Sequence, residues 1–419
     1  MSSKIKARSG TFLDNMKLPI HRWFRYSAGF SAEWVQSEIK QFELETGQKA
    51  IVLDPFVGSG TTAFAASSLS RNAYGFDGHP FVSRIAKAKA LWHLSIDDFI
   101  KACDAVYDNA KARTSTTCRH DEANLLGKCY SHKALTDLDH LKEAYEELAD
   151  GSDIWELVRL NITSILRACS NVGTAQWQYV LPNKTKAKVL DVYEAFKGKT
   201  ELMASDMEFA QNNGWTHSAN IYHHDMREKF DIEQCNLLIT SPPYPNNYDY
   251  ADATRLEMTF WGEINGWSDL KTAVRPSLMR SCSQHSAGDK VDLELILKEP
   301  LLAPIIKELE PVVRELAEVR LTKGGKKAYH TMVAAYFYDL AKVWQNCRPL
   351  MSENSKVCFV IGDSAPYGVH VPAEKWLGEL ALASGFKSYS FEKLRDRNVK
   401  WKNRTHTVPL HEGRLWVQG

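Results

Sequence analysis

The sequence predicts an α/β fold, a mostly parallel doubly wound sheet that closes with a C-terminal hairpin and is interrupted by helical insertions. Residues 50–56 form an apolar run without polar alternation, as in a parallel strand covered on both faces. That run enters Val57-Gly58-Ser59-Gly60, then an alanine-rich helical stretch at 61–70 and a second strand at 73–77, a strand-turn-helix-strand unit. Near the C-terminus, strand signals around 387–394 and 414–417 follow one another with no helix between them.

The intervening elements follow in order. From about 84 to 213 the spacing of Leu, Ala and Tyr is helical, far longer than a connection in a compact α/β unit, so residues 92–215 read as a helical insertion. Strands resume at 219–223 and at 235–240, the latter running into Ser241-Pro242-Pro243-Tyr244. A second insertion, 262–325, carries helical periodicity at 300–320. A helix at 329–345, a strand at 356–361 and a helix at 373–384 complete the pattern. The catalytic unit is therefore expected to comprise 18–91, 216–261 and 326–419.

Composition bounds the function. The 419 residues are 44% hydrophobic and 25% charged, enough for a sizeable core. No apolar run suits a membrane span, and the start has no signal-peptide pattern, so a cytoplasmic location is expected. The net charge of +1 excludes a polycation, and any nucleic-acid surface must come from local clusters. Three qualify: Lys184, Lys186 and Lys188; Lys323, Lys326 and Lys327; and Arg395, Arg397, Lys400, Lys402 and Arg404 around Trp401. Eight scattered cysteines predict reduced thiols. Cys118, His120, Cys129 and His132 lack the spacing of a zinc finger, and no metal is expected.

Two turns carry the chemistry. In Asp54-Pro55-Phe56-Val57-Gly58-Ser59-Gly60-Thr61-Thr62 the glycines permit a sharp turn and close approach of a ligand, and Asp77 closes the next strand where an acid can hold ribose hydroxyls. A nicotinamide enzyme would carry a third glycine, and here Thr61, Thr62 and Ala63 follow instead. The second turn, Ser241-Pro242-Pro243-Tyr244, fixes φ twice and removes two N–H groups, so it presents acceptors unopposed by neighbouring donors, with a flat tyrosine beside them.

Together the turns resemble the amino-methyltransferases of DNA found in restriction-modification systems. The resemblance implies a Rossmann-like methyltransferase fold with a seven-stranded sheet, S-adenosylmethionine as cofactor and duplex DNA with a flipped base as substrate. It assigns Asp54, Pro55, Phe56, Gly58, Gly60 and Thr61 to the cofactor, Asp77 to its ribose and Asp225 to its adenine amino group. Phe30, in Phe30-Ser31-Ala32-Glu33-Trp34-Val35, resembles the family's cofactor-flanking segment, without its frequent Lys-Pro or Gln-Pro step; Tyr26 lies just upstream. Ser241, Pro242, Pro243 and Tyr244 would be the catalytic corner. Asn246, Asn247, Asp249 and Tyr250 resemble the stretch that follows it, with Tyr244, Asn247 and Tyr250 on the base; helix capping is their alternative role.

Serine at the first corner position resembles the cytosine-N4 enzymes, whereas Asp or Asn is commoner in adenine-N6 enzymes. Cytosine N4 is the expected target, with adenine N6, and then the N2 of an RNA guanine, as alternatives; a decayed DNA-binding protein is the non-enzymatic one. Both insertions are candidate recognition regions, a cognate restriction endonuclease is a candidate partner, and the activity is expected at the bacterial nucleoid.

Overall fold

A computed structural model describes residues 12–26, 29–114, 124–174, 180–246, 248–324, 327–397 and 408–419. Its central sheet has seven strands: β1 (Val52–Asp54), β2 (Ala73–Asp77), β3 (Ala219–His223), β4 (Cys235–Thr240), β5 (Met351–Gly362), β6 (Ser388–Arg397) and β7 (Leu410–Gln418). They lie in the order β3-β2-β1-β4-β5-β7-β6. The first five run parallel, and β7 inserts antiparallel between β5 and β6. This is the mostly parallel sheet with a terminal hairpin that the sequence predicts.

Alternate residues of the central strands point to opposite apolar layers, which is why their sequence reads as continuous apolar runs. Val52, Leu237, Ile239 and Val360 pack under α1 (Ala32–Thr46) and α2 (Thr61–Ser67). Leu53, Phe76, Leu238 and Phe359 meet the layer that includes α8 (Ile306–Thr322), α9 (Tyr329–Cys347) and α10 (Ala373–Ala383). There Trp344 stacks on Phe359 with centroids 4.3 Å apart, both fully buried. Truncating such an aromatic to alanine costs about 3–5 kcal/mol.

Between β2 and β3 lie α3 (Pro80–Ala90), α4 (Ile96–Ala112), α5 (His132–Leu148), α6 (Asp153–Cys169) and α7 (Val192–Asn212). Their apolar faces share one core with the N-terminal Ile20 and Trp23. Asp206 of α7 is the polar pin: almost fully buried, it accepts from the Ile20 N–H at 3.1 Å, from the Trp23 indole at 2.9 Å and from Arg22. The helical reading of this region misses a hairpin, Val172–Thr174 with Val180–Thr185. Short β-branched segments of this kind give no helix-sized period, and the pairing is anchored by Asn171 N–H on the Cys129 carbonyl at 2.8 Å.

β5 starts five residues earlier than the sequence suggests because the ladder shifts register between Cys235 and Leu237, drawing in the polar stretch after Met351. In the second insertion, helix α8 begins at Ile306, and the preceding Pro300 opens a separate 3-10 turn. The seven described cysteines are buried and free. Cys118 and His120 lie outside the described residues; Cys129 is buried in the short helix Leu125–Cys129, and His132 opens α5. No helix among the described residues is long and apolar enough to cross a membrane.

Candidate active site

Parallel pairing places the C-terminal ends of β1, β2, β3 and β4 on one edge of the sheet, and both turns leave from that edge. Asp54 and Thr240 end adjacent strands, and Thr240 Oγ1 donates to the Asp54 carboxylate at 2.6 Å in the buried interior. This hydrogen bond, with that from Thr62 Oγ1 to the Ile239 carbonyl at 3.2 Å, ties the glycine turn to the strand end that carries the Ser-Pro-Pro-Tyr corner.

The glycine turn is built from the backbone outward. Gly58 and Gly60 have φ of 53° and 94°, the left-handed region that side chains disfavour. The two glycines differ in what surrounds them. Gly58 lines the cleft below Tyr26, whereas a Cβ on Gly60 would sit 2.1 Å from the buried ring of Phe64. Gly60 therefore shapes and packs the turn and does not line the cleft. Beneath it, the fully buried Lys89 donates to the carbonyls of Ser59 at 3.2 Å and His21 at 3.0 Å, and burial lowers its pKa to about 7.

Asp77 receives the Gly58 N–H at 3.0 Å on one oxygen and the His79 N–H at 2.8 Å on the other. Burial pushes its pKa up to about 6 against those two donors, and burial does the same for Asp54. His79 is held neutral by burial, its pKa lowered to about 3, and its Nε2 meets the Thr254 hydroxyl at 2.9 Å. Phe30 is fixed from behind: the Asn15 amide donates to its carbonyl at 2.9 Å, and Ser31 caps α1.

These groups line one cleft of about 960 Å³, its open mouth included. Phe30, Asp54, Pro55, Phe56, Gly58, Thr61, Asp77, Asp225, Ser241, Pro243 and Tyr250 all face it, so most of the expected cofactor residues converge with the corner. Pro242 and Tyr244 stand outside its wall, and Asn247 lies outside the described residues. Asp225 is gripped by Arg227, whose Nη2 lies 2.6 Å away and whose Nε lies 2.9 Å away.

The corner is stiffer than its prolines alone make it. Ser241 Oγ donates to the Val360 carbonyl on β5 at 3.1 Å, which commits its proton and leaves its oxygen as an acceptor. The expectation that every corner carbonyl is unopposed needs correction: Tyr336 of α9 donates to the Pro243 carbonyl at 2.8 Å. Tyr250 packs edge-on to Tyr248, with centroids 4.5 Å apart, and burial raises its pKa.

Sequence reasoning missed the far wall. Arg275, Ser277, Leu278, Met279, Cys282 and His285, from the second insertion, line the same cleft. Arg275 and Asp249 form a buried pair at 2.6 Å, and a Cβ on Gly78 would strike the Ser277 carbonyl at 2.0 Å. No motif announces this segment; only the bare glycine at 78 marks where a backbone must pass close to Asp77. The cleft fits a sulfonium nucleoside: four carboxylates, Asp54, Asp77, Asp225 and the Arg275-paired Asp249, suit a cation and ribose hydroxyls, and the buried Arg275 Nε lacks a hydrogen-bond partner and can donate to an acceptor.

A seven-stranded sheet of this order, with a glycine turn and an acceptor corner sharing one cleft, defines the Rossmann-like methyltransferase class. Residues 8–88 match the family described as DNA methylase. Over 404 residues the chain is 23% identical to the Type II methyltransferase M.AvaI of Nostoc sp., covering 90% of this chain and 81% of that one. It is 24% identical over 428 residues to M.BsoBI of Geobacillus stearothermophilus (91% and 82% covered), and 21% over 406 residues to M.MvaI of Kocuria varians (91% and 84%). No solved structure matches. The matches bear out the resemblance to DNA amino-methyltransferases of restriction-modification type.

Proposed function

We propose that the chain is an S-adenosylmethionine-dependent DNA methyltransferase that modifies the exocyclic N4 of a flipped-out cytosine. The observation that carries this reading is the position of Ser241: it opens the corner, faces the cofactor cleft, and follows the Thr240 that is bonded to Asp54.

When bound, S-adenosylmethionine supplies a methyl group on a cationic sulfur, ready for displacement by a nucleophile. The protein orients that group: Asp77 accepts from the ribose hydroxyls, Asp225 accepts from the adenine amino group, and Phe30 and Phe56 pack against the ligand. The exocyclic amine of a base is a poor nucleophile because its lone pair is delocalised into the ring. Ser241, through its side chain or carbonyl, and the Pro242 carbonyl accept its two hydrogens and draw the nitrogen toward tetrahedral geometry, so that the lone pair is freed from the ring. The bound cofactor would supply the methyl group to that nitrogen with its sulfur as the leaving group, while Ser241 and the Pro242 carbonyl would hold the amino hydrogens until one is lost to solvent. Positioning and electrostatics supply the rate. A base in a duplex cannot reach the corner, so it must be extruded.

The α4–α7 layer, within 92–215, is assigned to target recognition. For 262–325 the reading divides, because residues 275–285 close the cofactor cleft and only the remainder is left for DNA. The enzyme acts in the cytoplasm at the nucleoid, beside a cognate endonuclease. Mass spectrometry of nucleosides from DNA incubated with protein and cofactor is expected to show N4-methylcytosine; N6-methyladenine alone would reassign the target.

A further inference from the structure

Arg397 ends β6 and lays its guanidinium over the Tyr244 ring, 5.2 Å from carbon to centroid. By sequence it belongs to a basic cluster whose simplest role is a solvated surface, yet its side chain is only 15% exposed. It has been given a place. Nη1 donates to the Asp363 carbonyl at 2.7 Å, Nε approaches Glu412 at 3.9 Å, and a Cβ on Gly362 would lie 2.6 Å from Nη1.

Its anchor is itself fixed. The fully buried Asp363 carboxylate accepts the His411 N–H at 2.7 Å and pairs with His370 at 2.9 Å, and the His411 ring bridges on to Glu374 at 3.1 Å. The result is a planar cation held on the ring of the corner tyrosine, three residues after Ser241 and outside the cofactor cleft.

We propose that Arg397 reads the target base: it stands in the base's place on Tyr244 before DNA binds, then shifts to the base's edge and donates two N–H groups to it. This rests on the proposed methylation at the corner, and it names what selects cytosine there. With N4 at Ser241, cytosine offers N3 and O2 side by side along the same edge, two acceptors that match the guanidinium fork. Adenine with N6 at Ser241 offers N1 followed by a C–H, and half the fork finds no acceptor. The move exchanges one hydrogen bond, to the Asp363 carbonyl, and a long ion pair to Glu412 for the two bonds to the base.

The test uses the full chain and a duplex oligonucleotide bearing the mapped site with cytosine or 2-thiocytosine, whose sulfur is a poor acceptor, at the methylated position. Arg397→Met and Arg397→Lys are expected to bind S-adenosylmethionine as the wild type does, with kcat/KM for DNA lowered about ten- to a hundredfold, the range of a lost bidentate base contact. The thio substitution should slow the wild type and leave Arg397→Met no slower than it already is. Wild-type kcat/KM in Arg397→Lys would overturn the proposal, as would an equal thio penalty in wild type and Arg397→Met, the signature of a phosphate contact. Loss of cofactor binding in both variants would also overturn it. A wild-type reaction that yields no N4-methylcytosine overturns the parent reading as well, whereas the other failures strike Arg397 alone.

Discussion

The two turns at the ends of β1 and β4 are joined by the Thr240–Asp54 hydrogen bond and are built on opposite principles. The glycine turn gets its shape from backbone freedom at Gly58 and Gly60, and buried polar groups beneath it, Lys89 and Asp77, then lock that freedom. The corner gets its shape from backbone rigidity at two prolines, and neighbouring strands and helices only hold its ends, through Val360 and Tyr336. In the reaction proposed above, the first design serves close approach of the cofactor to the backbone and the second serves the fixed acceptors that hold the base amine.

The sharpest way to break this contrast is at Gly60. Gly60→Ala drives a Cβ into the buried Phe64 ring at a positive φ and is expected to cost about 3 kcal/mol of stability, read as a lowered thermal midpoint. Gly58→Ala meets only ordinary contact with Tyr26, 3.4 Å away, and should cost about 1 kcal/mol while weakening cofactor binding. Equal losses at the two positions would show that the glycines share one role.

Ser241→Ala probes the corner and should lower kcat about a hundredfold, as for other positioned groups in a preorganised site, with cofactor affinity unchanged. Thr240→Val removes the link between the turns and should cost about 1–2 kcal/mol, because it leaves the buried Asp54 short of a donor. If Thr240→Val changes stability but neither kcat nor cofactor affinity, the link is structural only.

The remaining effect is pH-dependent and has two opposite signs. Asp54 and Asp77 have folded pKa values raised to about 6, so the ligand-free protein holds more protons than the unfolded chain between about 4 and 6. Their contribution to stability is therefore present at low pH and lost as pH rises through 6. Cofactor affinity runs the other way, since the ribose hydroxyls require ionised Asp77, and should fall as pH drops below about 6. Calorimetric titration at pH 5 and 7.5 measures the second trend, and Asp77→Asn should remove it.

Legibility in the sequence followed the range of the interactions. The strands were readable because burial on both faces of the sheet leaves the centres of β1 and β4 apolar, and the two turns because φ restrictions force glycine and proline. Arg275 and its neighbours were not readable: they reach the cleft only through a tertiary contact with Gly78 and the pair with Asp249. Nothing in the sequence singles out Lys89, and Arg397 is one charge among several in a basic run. Each acquires its place from a chain segment distant in sequence, beneath the glycine turn in one case and on Tyr244 in the other.

The pairing of β1 with β4, Val52 opposite Leu237 and Leu53 opposite Leu238, also acts as a ruler. The donor of the methyl group hangs from one strand end and its acceptor from the next, so their separation is set by register. One residue inserted in either strand would shift the turns by about 3.3 Å relative to each other, more than a displacement reaction tolerates. Length can vary freely only where it leaves that register untouched, and in this chain the added length lies between β2 and β3 and between β4 and β5. Segments in those gaps that do not line the cleft can therefore change in length without altering the distance between the two turns.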